Sequence, residues 1–228
     1  MVLLKNNGAL PIKGGKTAVI GEMAVNPRYQ GGGSSYVNAI NVTKPLDAMS
    51  EYGDVEYAQG YSLDDDKNFD KINDAAKLAA SCDRAVIICG LPLSYESEGY
   101  DRTHMDLPEN QLRLIDEVVR KQPNTVIVLC NGSPVAMPFV GKVNGILEAY
   151  LGGEGVGEAI ADLLYGKANP CGKLAESFPQ YLEHNPSYGN FPGENGKVCY
   201  SEGIYVGYRW YEKHNIPTLF PFGFGLSY

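Results

Sequence analysis

The sequence predicts an α/β protein in which a mainly parallel β-sheet lies between two layers of helices. Short runs of apolar and β-branched residues alternate with segments whose apolar residues recur at helical spacing. Most of the apolar runs end at a glycine or a polar loop, as buried strands do at the edge of a sheet. The alternation stops near Asn169, after which proline and aromatic residues become frequent. We therefore predict a three-layer sandwich with a loop-rich, aromatic C-terminal tail.

Five strands and five helical segments can be placed from these patterns. The strands are predicted at residues 17–20, 55–59, 84–89, 125–130 and 145–149. The helices are predicted at residues 45–52, 68–81, 108–121, near 135–140, and in the segment that ends before Gly166. Thr43 is expected to cap the first helix, and the acids at residues 64–66 complement the dipole of the second. Right-handed β-α-β connections then give a parallel sheet of about five to six strands, a flavodoxin-like arrangement.

Both ends of the chain are predicted to lie outside this sheet. Residues 1–15 contain the turn formers N-N-G and K-G-G and are interpreted as an interdomain linker, so that the domain covers residues 16–228. We expect the tail to wrap around the sheet, with room for one further edge strand. The aromatic residues at 200–211 are expected in core or interdomain packing, and stacking on a sugar is the less favoured interpretation.

The composition fits a soluble globular protein and excludes several partners. The chain has 228 residues, of which 44% are hydrophobic and 20% are charged. Its net charge of -8 argues against nucleic acid and against an anionic membrane surface. No apolar run approaches the roughly 20 residues that span a bilayer.

The cysteines and the first residues bear on cofactors and compartment. Five cysteines are scattered along the chain without a C-x-x-C pair, so we predict no disulfide framework, no metal and no cofactor. Cys89 and Cys130 end apolar runs and are expected to be buried. Residues 1–5 lack the pattern of a secretory signal, and we expect a cytoplasmic location.

A loop crowded with ionisable residues follows the third strand, at residues 95–107. Such loops lie outside the carboxyl ends of the strands of an open α/β sheet, where ligands bind. Glu98 is the candidate proton donor, because burial can raise the pKa of a carboxyl group. The alternative is a solvated loop held by charge pairs, and Asp101 and Arg102 are expected to form such an ion pair. His104 could shuttle protons, although a packed or exposed histidine is the favoured interpretation.

Two glycine-rich segments could contact a ligand. Residues 31–35 lack both nucleotide-binding glycine motifs, so a phosphate cradle and a polar pocket wall both stay open. In the second case Tyr29 or Tyr36 would stack on the ligand. Residues 152–157 could bind an anion where a helix begins, and close packing of strand and helix explains their glycines equally well. The acids at residues 64–66 lack the alternating spacing of a calcium loop.

Short motifs spread over the whole chain carry a family resemblance. They are V-L-L-K-N at residues 2–6, G-G-G-S at 31–34, E-G-Y-D-R at 98–102, N-G-S-P at 131–134, N-P-C-G-K-L at 169–174, G-Y-R-W-Y at 207–211 and P-F-G-F-G-L-S-Y at 221–228. With them the chain resembles the C-terminal α/β-sandwich domain of family 3 glycoside hydrolases, the β-glucosidase family. Cys171 departs from the pattern, because the family usually has serine there.

The resemblance implies a retaining hydrolysis shared between two domains. In that family an aspartate on a (β/α)8 barrel attacks the anomeric carbon, and a second carboxyl group protonates the leaving oxygen. Carried onto residues 98–102, the acid/base is Glu98, with Glu96 as its main rival, and Asp101 and Arg102 are scaffold residues of the loop. The implied substrate-binding residues are Gly32, Gly33, Ser34, Ser35 and Tyr36.

The implied partner is a (β/α)8 barrel domain of the same protein. The implied substrate is a β-linked gluco-oligosaccharide or an aryl or alkyl β-glucoside, cleaved at terminal non-reducing β-D-glucosyl residues, with a xyloside left open. Because this chain contains no barrel, we expect it to fold but not to hydrolyse glycosides by itself. The alternatives are a stand-alone α/β module that binds carbohydrate or nucleotide without catalysis, and an interaction scaffold.

Overall fold

A six-stranded mixed sheet runs through the centre of the protein. The structure is a computed structural model and describes residues 1–228. The strands of this sheet are β1 (Val2–Asn6), β2 (Thr17–Ile20), β3 (Val55–Ala58), β4 (Arg84–Gly90), β5 (Thr125–Cys130) and β6 (Gly145–Glu148). Their spatial order is β1-β6-β5-β4-β2-β3, and all neighbours are parallel except β1 and β6. The five parallel strands therefore have the order of a flavodoxin-like doubly wound sheet, which confirms the predicted fold class.

The structure has five α-helices, four of which pack in two pairs. They are α1 (Pro45–Ser50), α2 (Ile72–Ser81), α3 (Glu109–Lys121), α4 (Val156–Leu164) and α5 (Tyr208–His214). The helix α1 packs against α4, and α2 packs against α3. The apolar stripe of α3 explains its position, since Leu114, Ile115 and Val118 recur at helical spacing and are all buried. The two helix pairs form the outer layers of the predicted sandwich.

The core is centred on β4 and β5. Every residue of β5 is buried, and in β4 only Arg84 is partly exposed. Full burial of a side chain such as Ile87 contributes about 1.5–3 kcal/mol relative to leaving it in water. Cys89 and Cys130 are fully buried at the ends of these strands, as predicted, and burial raises the pKa of both thiols.

The ends of the chain differ from the sequence-based prediction. Residues 1–15, interpreted as a linker, contribute β1, which pairs antiparallel with β6. The apolar residues Leu3 and Leu4 are buried there, and their burial outweighs the turn-forming tendency of the glycines that follow. The tail forms a separate two-stranded sheet, β7 (Phe178–Pro179) with β8 (Thr218–Phe220). After β8, the tail contacts the main sheet where the Leu226 N–H donates to the Leu3 carbonyl oxygen at 2.9 Å.

Three predictions about helices are wrong in detail. Residues 135–137 are irregular and residues 138–140 form a turn rather than a helix, because the Ala136 N–H donates to the Met105 carbonyl oxygen (2.8 Å) and Pro138 has no N–H. The helix α2 begins at Ile72, four residues later than predicted, after a series of turns. Thr43 does not cap α1; its Oγ1 accepts from the Gly157 N–H at 3.0 Å and so caps α4.

The aromatic residues of the tail are mostly exposed. Tyr200, Tyr205 and Tyr208 lie on the surface, whereas Tyr211 is buried. Among the aromatic residues at 200–211, full burial within this chain is therefore confined to Tyr211, whereas Phe178 and Phe220 of the tail belong to the main core. No helix of the structure has both the length and the apolar character needed to cross a bilayer.

Candidate active site

A cleft of about 410 Å³ opens at the carboxyl edge of the sheet. The loops that follow β2, β4, β5 and β6 meet there, because parallel strands end at the same edge. The cleft is lined by Arg28, Gly31, Gly32, Glu96, Ser97, Glu98, Tyr100, Asp101, Arg102, Gly132, Ser133, Leu151 and Phe191. Most of the residues singled out in the sequence are therefore brought together.

Glu98 lies exposed in this cleft, and its carboxylate has one hydrogen-bonding partner, Ser34. Its Oε2 accepts hydrogen bonds from the main-chain N–H of Ser34 (2.5 Å) and from the Ser34 hydroxyl. These two bonds, the hydroxyl first, hold the pKa of the Glu98 carboxyl below its ordinary value, because they favour the charged form. No cation pairs with this carboxylate. In this chain Glu98 is a solvated carboxylate that is bound to the glycine-rich loop.

The glycine-rich loop can approach Glu98 because Gly33 has no side chain. The φ angle of Gly33 is +87°, and a Cβ atom added there would lie 2.3 Å from the Glu98 Cβ. The main-chain carbonyl of Gly32 lies 3.5 Å from the Glu98 N–H. The predicted substrate-binding loop thus supplies Gly32, Gly33 and Ser34 to the surroundings of Glu98.

The other two residues of the predicted loop lie elsewhere. Ser35 is exposed and does not line the cleft. Tyr36 lines a neighbouring cavity, together with Tyr29. The loop is accordingly divided between two adjoining depressions, and its role in substrate binding stays a prediction.

Glu96, the rival of Glu98, is held by the structure on several sides. Its carboxylate accepts from the Gly132 N–H (2.7 Å) and from the Ser133 hydroxyl. Arg28 lies 3.5 Å from the same carboxylate and donates to the Glu96 carbonyl oxygen at 2.7 Å. Only 17% of the Glu96 side chain is exposed. Glu96 therefore fastens its loop to the loop after β5.

Arg102 anchors the other end of the same loop. It donates to the Ser133 hydroxyl (2.8 Å) and to the Pro134 carbonyl oxygen (3.0 Å). The predicted ion pair between Asp101 and Arg102 is not formed, and Asp101 is exposed. The reason is that the Arg102 guanidinium turns inward to Ser133, and this burial lowers its pKa. The scaffold role of Arg102 stays a prediction, and its partner is Ser133 rather than Asp101.

His104 lies outside the Glu98 cleft. It is exposed, its Nδ1 accepts from the Asp106 N–H at 3.2 Å, and its ring meets the edge of Tyr95 with 5.8 Å between centroids. It lines a separate depression beside Arg102 and the tail. A role in proton transfer at Glu98 gains no support from this position.

The second glycine-rich segment is explained by packing. A Cβ atom on Gly157 would lie 2.5 Å from the main chain of Lys44. The N–H groups at the start of α4 are already bonded, since the Thr43 Oγ1 accepts from Gly157. Close packing, one of the two interpretations of residues 152–157, is therefore the one that the contacts favour.

Two buried ionisable residues near the cleft were missed. Arg28 follows β2 and is almost fully buried, with an Nε that has no partner. Glu148 ends β6 with no exposed surface; its carboxyl accepts from the Tyr150 N–H (3.0 Å) and the Asn131 amide (3.2 Å). Burial raises the pKa of Glu148 to about 8. The signal was present in the sequence, because a glutamate within the apolar run G-I-L-E-A needs a specific partner if it is buried.

A doubly wound sheet with a solvent-facing carboxylate at its carboxyl edge is typical of ligand-binding α/β domains. Comparison with known families makes this specific. Residues 1–208 match the glycosyl hydrolase family 3 C-terminal domain. The chain belongs to this family.

Its relatives are family 3 glycosidases. The chain is 52% identical over 235 residues to thermostable beta-glucosidase B of Acetivibrio thermocellus and covers 31% of that protein. It is 40% identical to an exo-alpha-(1->6)-L-arabinopyranosidase of Bifidobacterium longum, of which it covers 32%. It is also similar to the crystal structure of the family 3 beta-glucosidase of Bifidobacterium adolescentis, with a TM-score of 0.94 and 43% identity. The whole chain is covered in each case, and it spans about a third of the length of these relatives.

Proposed function

We propose that this chain is the C-terminal domain of a retaining β-glucosidase and that Glu98 is its general acid/base. The observation that carries this proposal is the contrast between the two glutamates of the cleft. The carboxylate of Glu96 is engaged by Arg28, Ser133 and the Gly132 N–H, whereas the carboxylate of Glu98 faces solvent and accepts hydrogen bonds only from Ser34. A general acid has to reach the leaving oxygen of a bound substrate. Of the two glutamates, Glu98 is the one that is free to do so.

The nucleophile in this proposal comes from a (β/α)8 barrel domain of the same protein. Retaining glycosidases place their two carboxyl groups about 5–5.5 Å apart, so the barrel would cover the cleft close to Glu98. The chain spans about a third of its relatives, which leaves ample length for such a domain. Without the nucleophile, this chain folds but does not hydrolyse glycosides.

The protonation of Glu98 depends on this assembly. In the chain alone, the bonds from Ser34 lower its pKa, so the group is a carboxylate at neutral pH and cannot act as an acid. Covering the cleft removes water from the carboxyl group and raises its pKa, which is the direction that a general acid requires. Glu98 then protonates the glycosidic oxygen and afterwards takes a proton from the water that releases the sugar.

The proposed substrate is a terminal, non-reducing β-D-glucosyl residue. Most of the relatives above are named beta-glucosidases, and one is named an arabinopyranosidase, so the sugar ring is the variable part. We assign Gly32, Gly33 and Ser34 to the wall beside the scissile bond because they surround Glu98. The leaving group of the substrate is an oligosaccharide, aryl or alkyl group.

A chimera tests the assignment of Glu98. In it, this chain replaces the matching 31% of thermostable beta-glucosidase B. Glu98→Ala is expected to lower kcat/KM for phenyl β-D-glucoside by about 10²–10⁴-fold, and less for 2,4-dinitrophenyl β-D-glucoside, whose leaving group needs no proton. Azide should restore turnover of the activated substrate by attacking the glycosyl-enzyme.

Glu96→Ala is the matched control. It removes an anchor of the loop, so activity should fall without rescue by azide. Rescue of Glu96→Ala, with Glu98→Ala near normal, would move the assignment to Glu96. A folded chimera without glucosidase activity would contradict the proposed function. Turnover by the purified chain alone, abolished by Glu98→Gln, would contradict the need for a second domain.

A further inference from the structure

Hydrogen bonds join Glu148, Asn131 and Ser133 into a series, which we call the Glu148 link. Glu148 is the last residue of β6 and has no exposed surface. Its carboxyl group accepts from the side-chain amide of Asn131 at 3.2 Å. Burying a carboxyl group among apolar residues costs free energy, so the partners of Glu148 indicate what the group does.

Asn131 connects Glu148 to the loop after β5. Its side-chain amide has two hydrogens and uses both, one for Glu148 and the other for the Ser133 carbonyl oxygen at 2.9 Å. The side chain can therefore turn only if at least one of these bonds breaks. Because Asn131 is fully buried, water does not replace a lost bond. The main chain of Ser133 is thus held in place from inside the fold.

Ser133 passes this constraint to the loop that carries Glu98. Its hydroxyl donates to the Glu96 carboxylate and accepts from Arg102 at 2.8 Å. Glu98 lies between these two residues in the sequence. The position of the Ser133 hydroxyl follows that of its main chain, which is set by Asn131. A shift of Ser133 would therefore move both anchors of residues 97–101.

Glu148 also holds a second wall of the cleft. The other oxygen of its carboxyl group accepts from the Tyr150 N–H at 3.0 Å. Tyr150 has a φ angle of +54°, which a residue with a side chain rarely adopts. The next residue, Leu151, lines the cleft. The bond from Tyr150 stabilises this turn and with it the position of Leu151.

We infer that Glu148 is a positioning residue for the acid/base, which acts through Asn131 and Ser133 to hold residues 97–101 in place. This inference rests on the proposed function, in which Glu98 protonates the leaving oxygen. Neither Glu148 nor Asn131 lines the cleft, so both act through other residues. Proton transfer requires the donor to lie within hydrogen-bonding distance of the acceptor. Displacement of residues 97–101 would therefore impair protonation, whereas the nucleophile on the second domain would stay in place.

The leaving group of the substrate distinguishes this positioning role from a loss of fold. In the chimera, Asn131→Ala should lower kcat/KM for phenyl β-D-glucoside about 10-fold, since a misplaced acid transfers its proton poorly. The value for 2,4-dinitrophenyl β-D-glucoside should fall less than about 2-fold, because this leaving group needs no proton. Glu148→Leu should show the same pattern. A smaller folded fraction would instead lower both values by the same factor.

Asn110→Ala is the matched control for Asn131→Ala. Asn110 is also fully buried, its side-chain amide donates to two acceptors, the carbonyl oxygens of Ser62 and Asp65, and the Oδ1 atoms of both asparagines have no partner. These contacts lie on the loop after β3, which does not line the cleft. Asn110→Ala should therefore leave the ratio of the two kcat/KM values unchanged. An equal change of this ratio in both variants would overturn the inference.

A double variant tests the route from Glu148 through Asn131. If the two residues act in series, Glu148→Leu with Asn131→Ala should change the ratio by clearly less than the product of the two single effects. A change equal to that product would show that Glu148 does not act through Asn131. If Glu148→Leu does not fold, Glu148→Gln takes its place, because it keeps one of the two acceptor oxygens and disturbs the link less.

Relaxation measurements on the chain alone separate this inference from the proposed function. The ¹⁵N order parameters of residues 97–101 should be lower in Asn131→Ala than in the unmodified chain, and unchanged in Asn110→Ala. If Glu98→Gln retains full activity in the chimera, the proposed function fails, and the order parameters still report on the Glu148 link.

Two further outcomes would contradict the positioning role alone. If activity depends on Glu98 but neither the ratio nor the order parameters respond to Asn131→Ala, the link does not hold residues 97–101, and the acid/base assignment stands. If the order parameters fall and the ratio stays constant, the motion of these residues does not affect protonation.

Discussion

Ser34 binds Glu98 twice, because its main-chain N–H and its hydroxyl both donate to Oε2 of the same carboxylate. The two residues are 64 positions apart in the sequence and belong to the loops after β2 and β4. Hydrogen bonds to the charged form stabilise it, and they keep the pKa of Glu98 below its ordinary value. The glycine-rich loop therefore controls the protonation of the proposed acid.

Replacing Ser34 by alanine should raise the pKa of Glu98 in the chain alone. The side-chain bond is the larger of the two causes of the lowered pKa, so its loss moves the pKa toward the ordinary value for glutamate. A ¹³C NMR titration of the Glu98 carboxyl carbon measures this change directly. Ser35→Ala is the control, since both hydrogen bonds to the Glu98 carboxylate come from Ser34 and none comes from Ser35. An identical titration curve for Ser34→Ala would refute the proposed control by this hydroxyl.

A pair of glycine substitutions separates backbone strain from collision with Glu98. Gly33 and Gly99 have similar φ angles, +87° and +84°, in the region that disfavours side chains. Alanine at either position should cost about 1–2 kcal/mol of folding free energy, as measured by urea denaturation. A Cβ atom at Gly33 also collides with Glu98, whereas one at Gly99 meets nothing within 4 Å.

Only Gly33→Ala should therefore break the contact between Ser34 and Glu98. The expected result is a higher pKa of Glu98 in Gly33→Ala and an unchanged pKa in Gly99→Ala, measured by the same titration. A greater shift in Gly99→Ala than in Gly33→Ala would show that the close approach of the two loops is not what sets this pKa.

Glu148 should make the stability of the domain depend on pH. Its folded-state pKa is about 8, raised mainly by burial from 4.5. Between these two values the folded chain retains a proton that the unfolded chain has lost, so the stability falls as the pH rises from about 4.5 to about 8. The difference corresponds to at most about 5 kcal/mol. Glu148→Gln should remove this slope.

Urea denaturation at pH 5, 7 and 9 tests this prediction. From pH 5 to pH 9, the free energy of unfolding of the unmodified chain should fall more than that of Glu148→Gln. Glu158→Gln, an exposed glutamate in the first turn of α4, is the control and should follow the unmodified chain. Parallel curves for the unmodified chain and Glu148→Gln would mean that Glu148 is already ionised in the folded state.

The sheet could be predicted because its strands are defined by local patterns. The apolar runs at residues 84–89 and 125–130 are buried on both faces, and nothing but a central parallel strand explains them. The strand β1 was missed because its pairing with β6 joins residues that are 139 to 146 positions apart. Pairing over such a distance is decided by tertiary packing. Within the local sequence, the glycines after Asn6 indicate turns more strongly than the short apolar run before them indicates a strand.

The residues of the candidate site could be predicted from the sequence, but their hydrogen-bonding partners on other loops could not. The position of Glu98 at a strand end follows from the pattern of the loop, and its exposure agrees with that pattern. The choice between Glu96 and Glu98 required the positions of Arg28, Gly132 and Ser133, which lie on other loops. Likewise, Arg102 selects Ser133 rather than its neighbour Asp101, and no spacing rule anticipates that choice.

The double attachment of the loop at Ser133 has a consequence for assembly. Glu96 and Arg102 both bond this hydroxyl, and Glu98 lies on the short span between them. Ordering a free loop of this length would cost about 1–2 kcal/mol per residue in conformational entropy. Here most of that ordering is complete before any second domain docks. The proposed active site is thus preorganised in one of its halves, and the free energy of docking is left to position the substrate.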